Sequence, residues 1–469
     1  MAQIESQTTL EDQQLEAVQP EVAAELIYGL NDRPPVGEAV FVAFQHVLAA
    51  FVGIITPPLI ISTTLGLSPT ETSYIISMSL FVSGIATFLQ VKRFGPVGSG
   101  LLSLQGTSFA FLGSIVGIGT AVVQAGGTPQ AALARIFGVC FFGAFVQIIF
   151  SRFLHLAQKI ISPIVSGTVV MIIGLSLIKA GIISMAGGLA AQKNGTFGSV
   201  QNLALSGLVL AVIVFFSVSS NRYLRMGAIA IGLIVGYIIS ILLGLVDFSI
   251  FGKLPLISVP IPLRYGMSFD FASFIPFIFL YILTSIETIG DLTATSAITK
   301  QPVSGSLYMR RIKGGILGDG INCVTAAVFN TFPVTTFSQN NGVIQMTGVG
   351  SRYVGFFIAG ILAVLGLLPI VGGLFQSLPQ PVLGGATVVM FGAIAVAGMD
   401  IITSVKLDRR ALVIVAVSLV LGLGVVYVPE IFDDKPALVK NIFSSATSTG
   451  GLTALLLNWL LPQKVNTQE

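Results

Sequence analysis

The sequence predicts an all-α polytopic membrane protein, and composition, hydropathy and segment length each point to this class. Of the 469 residues, 54% are hydrophobic and 9% are charged, and the mean hydropathy is +0.93. Soluble domains carry about 25% charged residues, so a soluble enzyme is excluded. Apolar runs of about 20 residues, long enough to cross a bilayer as helices, recur through the chain. They do not alternate in polarity as the strands of a transmembrane barrel do.

Fourteen apolar segments can be delimited, although a plain hydropathy count gives about eleven to thirteen because several are short or interrupted. We expect each to be one transmembrane segment. Their approximate bounds are 38–62, 73–91, 100–120, 131–151, 158–179, 203–221, 226–246, 270–297, 315–331, 334–350, 353–375, 380–403, 410–428 and 448–462.

The distribution of charge predicts the orientation. The first 30 residues contain no Lys or Arg and carry six acids, Glu5, Glu11, Asp12, Glu16, Glu21 and Glu25. Without the basic start of a signal peptide, this stretch is expected to be a disordered cytoplasmic tail. With the N-terminus inside, Lys and Arg favour the inside loops by about two to one, which predicts that both termini, including the short tail at 464–469, are cytoplasmic.

The third and tenth segments are broken in the same way. Segment three reads LLSLQGTSFAFLGS and segment ten reads PVTTFSQNNGVIQMTG, so each joins an extended piece, a polar centre and a short helix. Each is third in its half of seven, a pattern typical of inverted-repeat transporters. Thr107, Ser108, Asn340 and Asn341 are suitable N-caps for two half-helices whose N-termini would face a ligand. The alternative is a polar seam between helices.

Ionisable side chains lie within the apolar segments. Glu287 and Asp291 in segment eight are about one helical turn apart, so they share one helix face. Two like charges at that spacing cannot both ionise cheaply in a low dielectric, so one carboxyl is expected to hold a proton, as a proton-coupled site requires. Asp319 and His46 are further candidates. For Asp291 a capping role, and for Asp319 and His46 a structural hydrogen-bonding role, stay open.

Enzyme and metal chemistry find little support in the sequence. Asp319 lacks the Gly-x-Gly-Asp context of an intramembrane aspartyl protease, and neither His46 nor His155 has a partner suited to nucleophilic catalysis. The P-loop pattern is missing. Cys140 and Cys323 lie in apolar runs and are expected to be core residues, with neither disulfide nor metal spacing. The prediction is a protein that is not an enzyme and has no metal or organic cofactor.

Residues 335–352, TTFSQNNGVIQMTGVGSR, resemble the signature of the nucleobase–ascorbate transporter family, also called nucleobase:cation symporters. In that signature a Gln or Glu is followed by Asn-x-Gly and, after a spacer, by Thr. The resemblance continues in SIETIGDLTATS, RIKGGILGDGIN and QGTSFAF. It extends from about Leu26 to Pro462 and is strongest to the bacterial xanthine permeases.

This resemblance implies a fold of two inverted repeats of seven segments, with short extended pieces in segments 3 and 10. A core domain would comprise 31–151 and 266–378, and a gate domain would comprise 152–265 and 379–463. The implied function is proton-coupled import of a purine nucleobase across the bacterial inner membrane by a homodimer, with no nucleic-acid partner. Xanthine is the expected substrate, and urate or another purine is the alternative. An anion exchanger of the same architecture and a receptor without transport also stay open.

The resemblance also assigns roles to residues. Glu287 matches the acidic substrate ligand, Gln339 the second side-chain ligand, and Phe109 the aromatic residue that packs on the base. The remaining expected substrate-binding residues are Ser338, Asn340 and Ser108. Proton coupling is expected of Asp291, Asp319, His46 and Glu287. Uracil carriers of the family have Glu where this chain has Gln339, which favours xanthine or urate over uracil.

Overall fold

The computed structural model describes residues 26–154, 162–405, 407–432, 434–436, 439, 443 and 445–461. Most of the predicted N-terminal tail, the C-terminal tail and His155 lie outside the described residues. The helices and strands, in chain order, are α1 Val36–Thr64, α2 Pro69–Lys92, β1 Gln105–Thr107, α3 Leu112–Gln124, α4 Pro129–Phe150, α5 Pro163–Met185, α6 Gly188–Lys193, α7 Val200–Ser217, α8 Arg222–Met226, α9 Ala228–Leu242, α10 Phe271–Ile298, α11 Gly305–Val328, β2 Val334–Thr336, α12 Gln339–Thr347, α13 Arg352–Gly366, α14 Pro369–Ser377, α15 Gln380–Thr403, α16 Arg409–Tyr427 and α17 Ala446–Leu460.

The chain is a multi-pass membrane protein built of helices. Among the described residues, eight helices are long and apolar enough to cross a membrane, and a ninth span is counted if α13 and α14 are taken together. Every one of the fourteen predicted segments contains a helix. Several helices begin at local signals. In α2, for example, Ser68 and Glu71 form a reciprocal capping box around Pro69, which satisfies N–H groups that the helix leaves free.

Two predicted segments differ from the structure in detail. Segment eleven, expected to be a single span, is bent by 73° between α13 and α14. Pro369 has no N–H and disfavours a helical conformation at the residue before it, and Leu368 is extended with φ −105° and ψ 96°. The helix of segment nine also begins at Gly305, ten residues before the predicted start, because its charged first turns continue the same helix.

The extended pieces predicted in segments 3 and 10 are confirmed. β1 and β2 pair antiparallel with Gln105 opposite Thr336, and all six residues are buried. β1 packs against α1 and α2, whereas β2 packs against α10 and α11. A Cβ at Gly106 would lie 2.5 Å from the Phe337 ring, so only glycine allows this approach. The strand pair therefore joins the two halves of the chain in the protein interior.

Candidate functional site

A small cavity lies where the two broken segments meet α10. The single 3-10 turn Phe109–Phe111 follows β1, and α12 begins three residues after β2. The cavity has a volume of about 40 Å³, room for about three waters. Its lining combines polar side chains from β2, α10 and α12 with an apolar wall from α5 and α15, namely Phe109, Ala110, Val170, Ile173, Glu287, Thr335, Thr336, Phe337, Ser338, Gln339, Ile394 and Ala397.

Glu287 presents the only carboxyl group in the described lining of this cavity. Its Oε2 atom is buried and has no hydrogen-bond partner in the described part of the chain. Leaving a buried acceptor unpaired costs about 1–3 kcal/mol, and more when the group is charged. This oxygen is therefore available to a donor that enters the cavity.

Ser338 and Gln339 form the start of α12 at the cavity. Ser338 is the N-cap residue but makes no side-chain capping bond, and Gln339 is the first helical residue. The Gln339 amide offers one donor and one acceptor group to the cavity. The positive end of the α12 dipole points the same way, which favours a ligand with electron-rich oxygens.

Phe109 borders two cavities. It lines the small cavity and also a larger one of about 780 Å³ between α3, α5, α10 and α17. Its ring packs edge-to-face on Phe391, with centroids 5.7 Å apart and an interplanar angle of 80°. The phenyl ring therefore lies between the two spaces.

The two asparagines of α12 do not cap it, so the expected N-cap role is wrong. The helix begins at Gln339, one residue before them. Asn340 donates its amide to the Leu102 carbonyl at 2.7 Å, while the Asn341 amide oxygen accepts from the Thr295 hydroxyl at 2.6 Å. These bonds hold α12 against the approach to β1 and against α10.

Two of the predicted substrate-binding residues, Ser108 and Asn340, and the predicted coupling residue His46 do not line the cavity. The Ser108 side chain is 2% exposed, and its backbone N–H donates to the Pro333 carbonyl at 2.8 Å. Asn340 is 3% exposed. His46, on α1, is 1% exposed; it has Asn340 as a polar neighbour, yet neither ring nitrogen has a hydrogen-bond partner within the described ranges.

Asp319 is fully buried at the centre of a hydrogen-bond network. Its Oδ1 accepts from the Gln90 amide at 2.5 Å, and its Oδ2 accepts from the Thr288 hydroxyl at 2.5 Å. The Gln105 amide, in the orientation that satisfies both of its polar atoms, donates to Oδ1 at 2.9 Å. The three donors come from α2, α10 and β1, so Asp319 on α11 ties four elements together. Sequence reasoning missed all three contacts: Gln105 and Thr288 lie within recognised motifs and Gln90 does not, but no motif indicates that any of them donates to Asp319.

The Asp291 carboxylate also accepts a hydrogen bond. Its Oδ2 accepts from the Thr336 hydroxyl at 2.9 Å, which joins α10 to β2. It is one turn from Glu287, as the sequence predicted, and Glu287 interacts electrostatically with both Asp291 and Asp319. The structure therefore brings the three carboxyl groups into one cluster, but only Glu287 lines the cavity.

The comparison with known proteins places the chain in a family. Residues 37–431 match the model of a permease family. Similar proteins include the xanthine permease XanP of Escherichia coli K12, 49% identical over 97% of this chain and 99% of the relative. XanQ of the same organism is 48% identical over 94% of each chain. The putative purine permease CPE0397 of Clostridium perfringens is 35% identical over 95% of each chain.

Solved structures share the fold at low identity. The transmembrane domain of the cyanobacterial bicarbonate transporter BicA matches with a TM-score of 0.54 at 17% identity, covering 89% of this chain and 96% of that one. The murine anion transporter Slc26a9, in its inward-facing state, matches with a TM-score of 0.62 at 10% identity, covering 92% and 69%. With its family model and its relatives taken together, this chain belongs to the nucleobase–ascorbate transporter family of permeases and is a transporter rather than an enzyme.

Proposed function

We propose that this chain is a proton-coupled symporter that imports a purine nucleobase, with xanthine as the substrate. The observation that carries the proposal is the convergence of Phe109, Glu287, Ser338 and Gln339 on one cavity. These residues come from both halves of the chain and supply an acceptor, an amide and an aromatic ring. The names of the relatives that are 48–49% identical support xanthine.

The chemistry of the lining suits the substrate. The edge of a purine-2,6-dione alternates N–H and C=O groups in one plane. Ionised Glu287 can accept from N–H groups, and the Gln339 amide can pair with an adjacent C=O and N–H. Phe109 can stack on the ring. A purine exceeds the present cavity of about 40 Å³, so binding requires the space bordered by Phe109 to widen.

The carboxyl cluster is the proposed route of the proton. Asp291 and Asp319 are held by hydroxyl and amide donors, whereas one Glu287 oxygen has none among the described groups. In the proposed cycle a proton joins the cluster with the substrate, and its release on the other side frees the base. One charge that crosses 100 mV supplies about 2.3 kcal/mol, which is enough to drive accumulation. His46 is proposed to act on this cycle through Asn340.

We propose the finer architecture of fourteen spans in two inverted repeats. Packing supports it because helix contacts recur after a shift of seven segments. α4 packs on α11 as α13 packs on α2, and α10 packs on α4 as α1 packs on α13. α7 and α9 pair as α16 and α17 do. Each expected core or gate segment makes most of its contacts within its own set, which favours the predicted division at 31–151, 152–265, 266–378 and 379–463. Cytoplasmic termini, an inner-membrane location and a homodimer complete the proposal.

Uptake of labelled xanthine into cells tests the function. We expect uptake to collapse with a protonophore, and Glu287→Gln to abolish it at normal membrane expression. Asp400→Asn is the matched control, because Asp400 is an exposed carboxylate on α15, and it should transport like the unmodified protein. Wild-type uptake in Glu287→Gln would reject the site assignment, and uptake that survives the protonophore would reject proton coupling.

Two alternatives have their own tests. The urate alternative is tested by measuring how strongly unlabelled urate, guanine, hypoxanthine and uracil inhibit the uptake of labelled xanthine. The strongest competitor identifies the substrate. Anion exchange is suggested by the fold shared with BicA and Slc26a9. The unpaired oxygen of Glu287 opposes it, because a carboxylate repels an anion in a low dielectric. Anion currents without a nucleobase would overturn that reasoning.

A further inference from the structure

One end of the molecule carries a concentration of Lys and Arg side chains, which we call the basic face. It gathers at the start of α1, α11 and α13 and at the end of α2 and α4. Its members are Arg33, Lys92, Arg93, Arg152, Arg310, Arg311, Lys313 and Arg352. Arg33, Lys92 and Arg352 line a cavity of about 260 Å³, and Arg152, Arg310 and Lys313 line a second of about 520 Å³.

The cations around the two cavities interact with one another. Burial and, second, the charge of Arg310 lower the pKa of Arg93, and Arg311 interacts with both Arg93 and Arg352. The like charges of the basic face are therefore close enough to repel one another. Such repulsion is relieved when an anion binds between them.

The cations of the basic face have no acidic partner in the described part of the chain, where none lies within 4.0 Å of a carboxylate. Arg33 instead lies over the Tyr353 ring at 5.9 Å, and Lys92 lies over the Phe88 ring at 5.4 Å. Arg311 is the sharpest case, because its Nη1 atom is buried without a hydrogen-bond partner among the described residues. A buried guanidinium N–H that lacks an acceptor is costly. It therefore points to an anionic group that completes the site.

The start of the described chain is anchored beside this face. The Ile27 N–H donates to the Gly348 carbonyl at 2.8 Å, and the Arg352 N–H donates to the Leu30 carbonyl at 3.0 Å. These bonds fix the point from which the preceding segment leaves, next to one of the cations that line the first cavity.

That preceding segment, residues 1–25, has the complementary charge. It lies outside the described residues, and its sequence holds six acids and no Lys or Arg. A short tether gives the groups that it joins a local concentration in the millimolar range. We propose that residues 1–25 dock on the basic face through their carboxylates, which provide an acceptor for Arg311 and acidic partners for its neighbours.

Anionic lipid headgroups are the competing occupants, since Lys and Arg at membrane surfaces attract them. Two observations favour the tail. The acidic segment is tethered beside the first cavity, and the unpaired Nη1 atom of Arg311 is buried, whereas Arg33, Lys92, Arg152 and Arg310 are exposed. Selective labelling of the tail distinguishes the two occupants.

The test uses the full chain in nanodiscs of zwitterionic phosphatidylcholine. Cys140 and Cys323 are 0% and 1% exposed, so a fluorophore maleimide will label an introduced Thr9→Cys selectively. We expect high fluorescence anisotropy at about 0.1 M NaCl that falls at about 1 M, where the screening length shrinks from ~10 Å to ~3 Å. In the double variant R33Q/R310Q the anisotropy at low salt should already equal the high-salt value.

Arg409→Gln is the matched control, because Arg409 is an exposed cation at the start of α16, away from both cavities. It should leave the anisotropy unchanged. A tail variant, E11Q/D12N/E16Q, should reproduce the loss seen in R33Q/R310Q and keeps the proposal testable if that double variant does not fold. Anisotropy that is independent of salt, or an equal loss in Arg409→Gln, overturns the proposal. The proposal is also overturned if phosphatidylglycerol stabilises the protein and R33Q/R310Q leaves the anisotropy of the labelled tail unchanged, since the basic face would then bind lipid.

Discussion

The hydrogen bond from Thr288 to Asp319 offers a direct measurement of the buried network. Thr288→Val keeps the shape of the side chain and removes the hydroxyl that donates to Asp319 Oδ2 at 2.5 Å. Both residues are 0% exposed, so water cannot replace the lost donor without repacking. Hydrogen bonds to charged groups contribute about 1.5–3 kcal/mol in proteins, whereas interhelical hydrogen bonds in membranes average about 0.6 and reach about 1.7 kcal/mol. We therefore expect a loss of about 1.5 kcal/mol, roughly a tenfold change in the folded-to-unfolded ratio.

Thr284 provides the matched control on the same helix. It is 2% exposed, and its hydroxyl donates within α10, to the Leu280 carbonyl at 3.1 Å. Thr284→Val should therefore cost only about 0.5 kcal/mol, the low end for a hydrogen bond between neutral groups. Unfolding can be measured at increasing concentrations of a denaturing detergent. It is followed through the reaction of a thiol-reactive dye with Cys140 and Cys323, whose thiols are buried in the folded protein.

A difference of less than about 0.5 kcal/mol between Thr288→Val and Thr284→Val would refute the view that the Asp319 network stabilises the fold. Xanthine uptake by the same variants adds a second measurement. If Asp319 positions the site only through its partners, uptake should fall more in Thr288→Val than in Thr284→Val at matched expression.

Two further substitutions probe packing and a helix end. Gly138→Ala would place a Cβ 2.1 Å from the Ser268 carbonyl oxygen, so it should destabilise the protein by about 1–3 kcal/mol. Gly117→Ala, whose Cβ would have no atom within 4 Å, is the control and should be close to neutral. Equal unfolding midpoints for the two variants would contradict the packing of α4. Arg410→Lys should lower the unfolding midpoint by an amount that corresponds to about 1 kcal/mol. The Arg410 Nε donates to the Leu461 carbonyl at 2.9 Å, and lysine cannot reproduce this bond because it lacks the planar guanidinium group. An unchanged midpoint would show that this contact is dispensable.

The sequence predicted the elements around the site better than the contacts within it. The Gly and polar residues of segments three and ten correctly indicated two broken helices, because a lipid-facing helix does not tolerate such a run. The sequence also indicated the extended piece in each segment, but the antiparallel pairing of β1 with β2 was not predicted and comes from the structure. The bend before Pro369 could also have been predicted, because the proline cannot donate to the preceding turn.

The network around Asp319 could not be found in this way. Gln90 and Thr288 are separated from Asp319 by 229 and 31 residues, and each lies on a different helix from Asp319. The periodicity of apolar residues does not predict which face of a helix makes polar contacts when other helices surround it on most sides. The role of Asn341 was similarly hidden, because its partner Thr295 is on another helix.

The pairing of β1 with β2 has a consequence for biogenesis. The strands are roughly 230 residues apart in the chain, so at about 5–20 residues per second the ribosome needs roughly 10–50 s to deliver the partner of β1. During that interval the backbone groups of Gln105–Thr107 lack their strand partner, and lipid cannot satisfy them. We therefore expect the first half of the chain to wait, with this stretch sheltered by protein or water, until the second half arrives. Assembly of the substrate cavity is then among the last events in the maturation of the transporter.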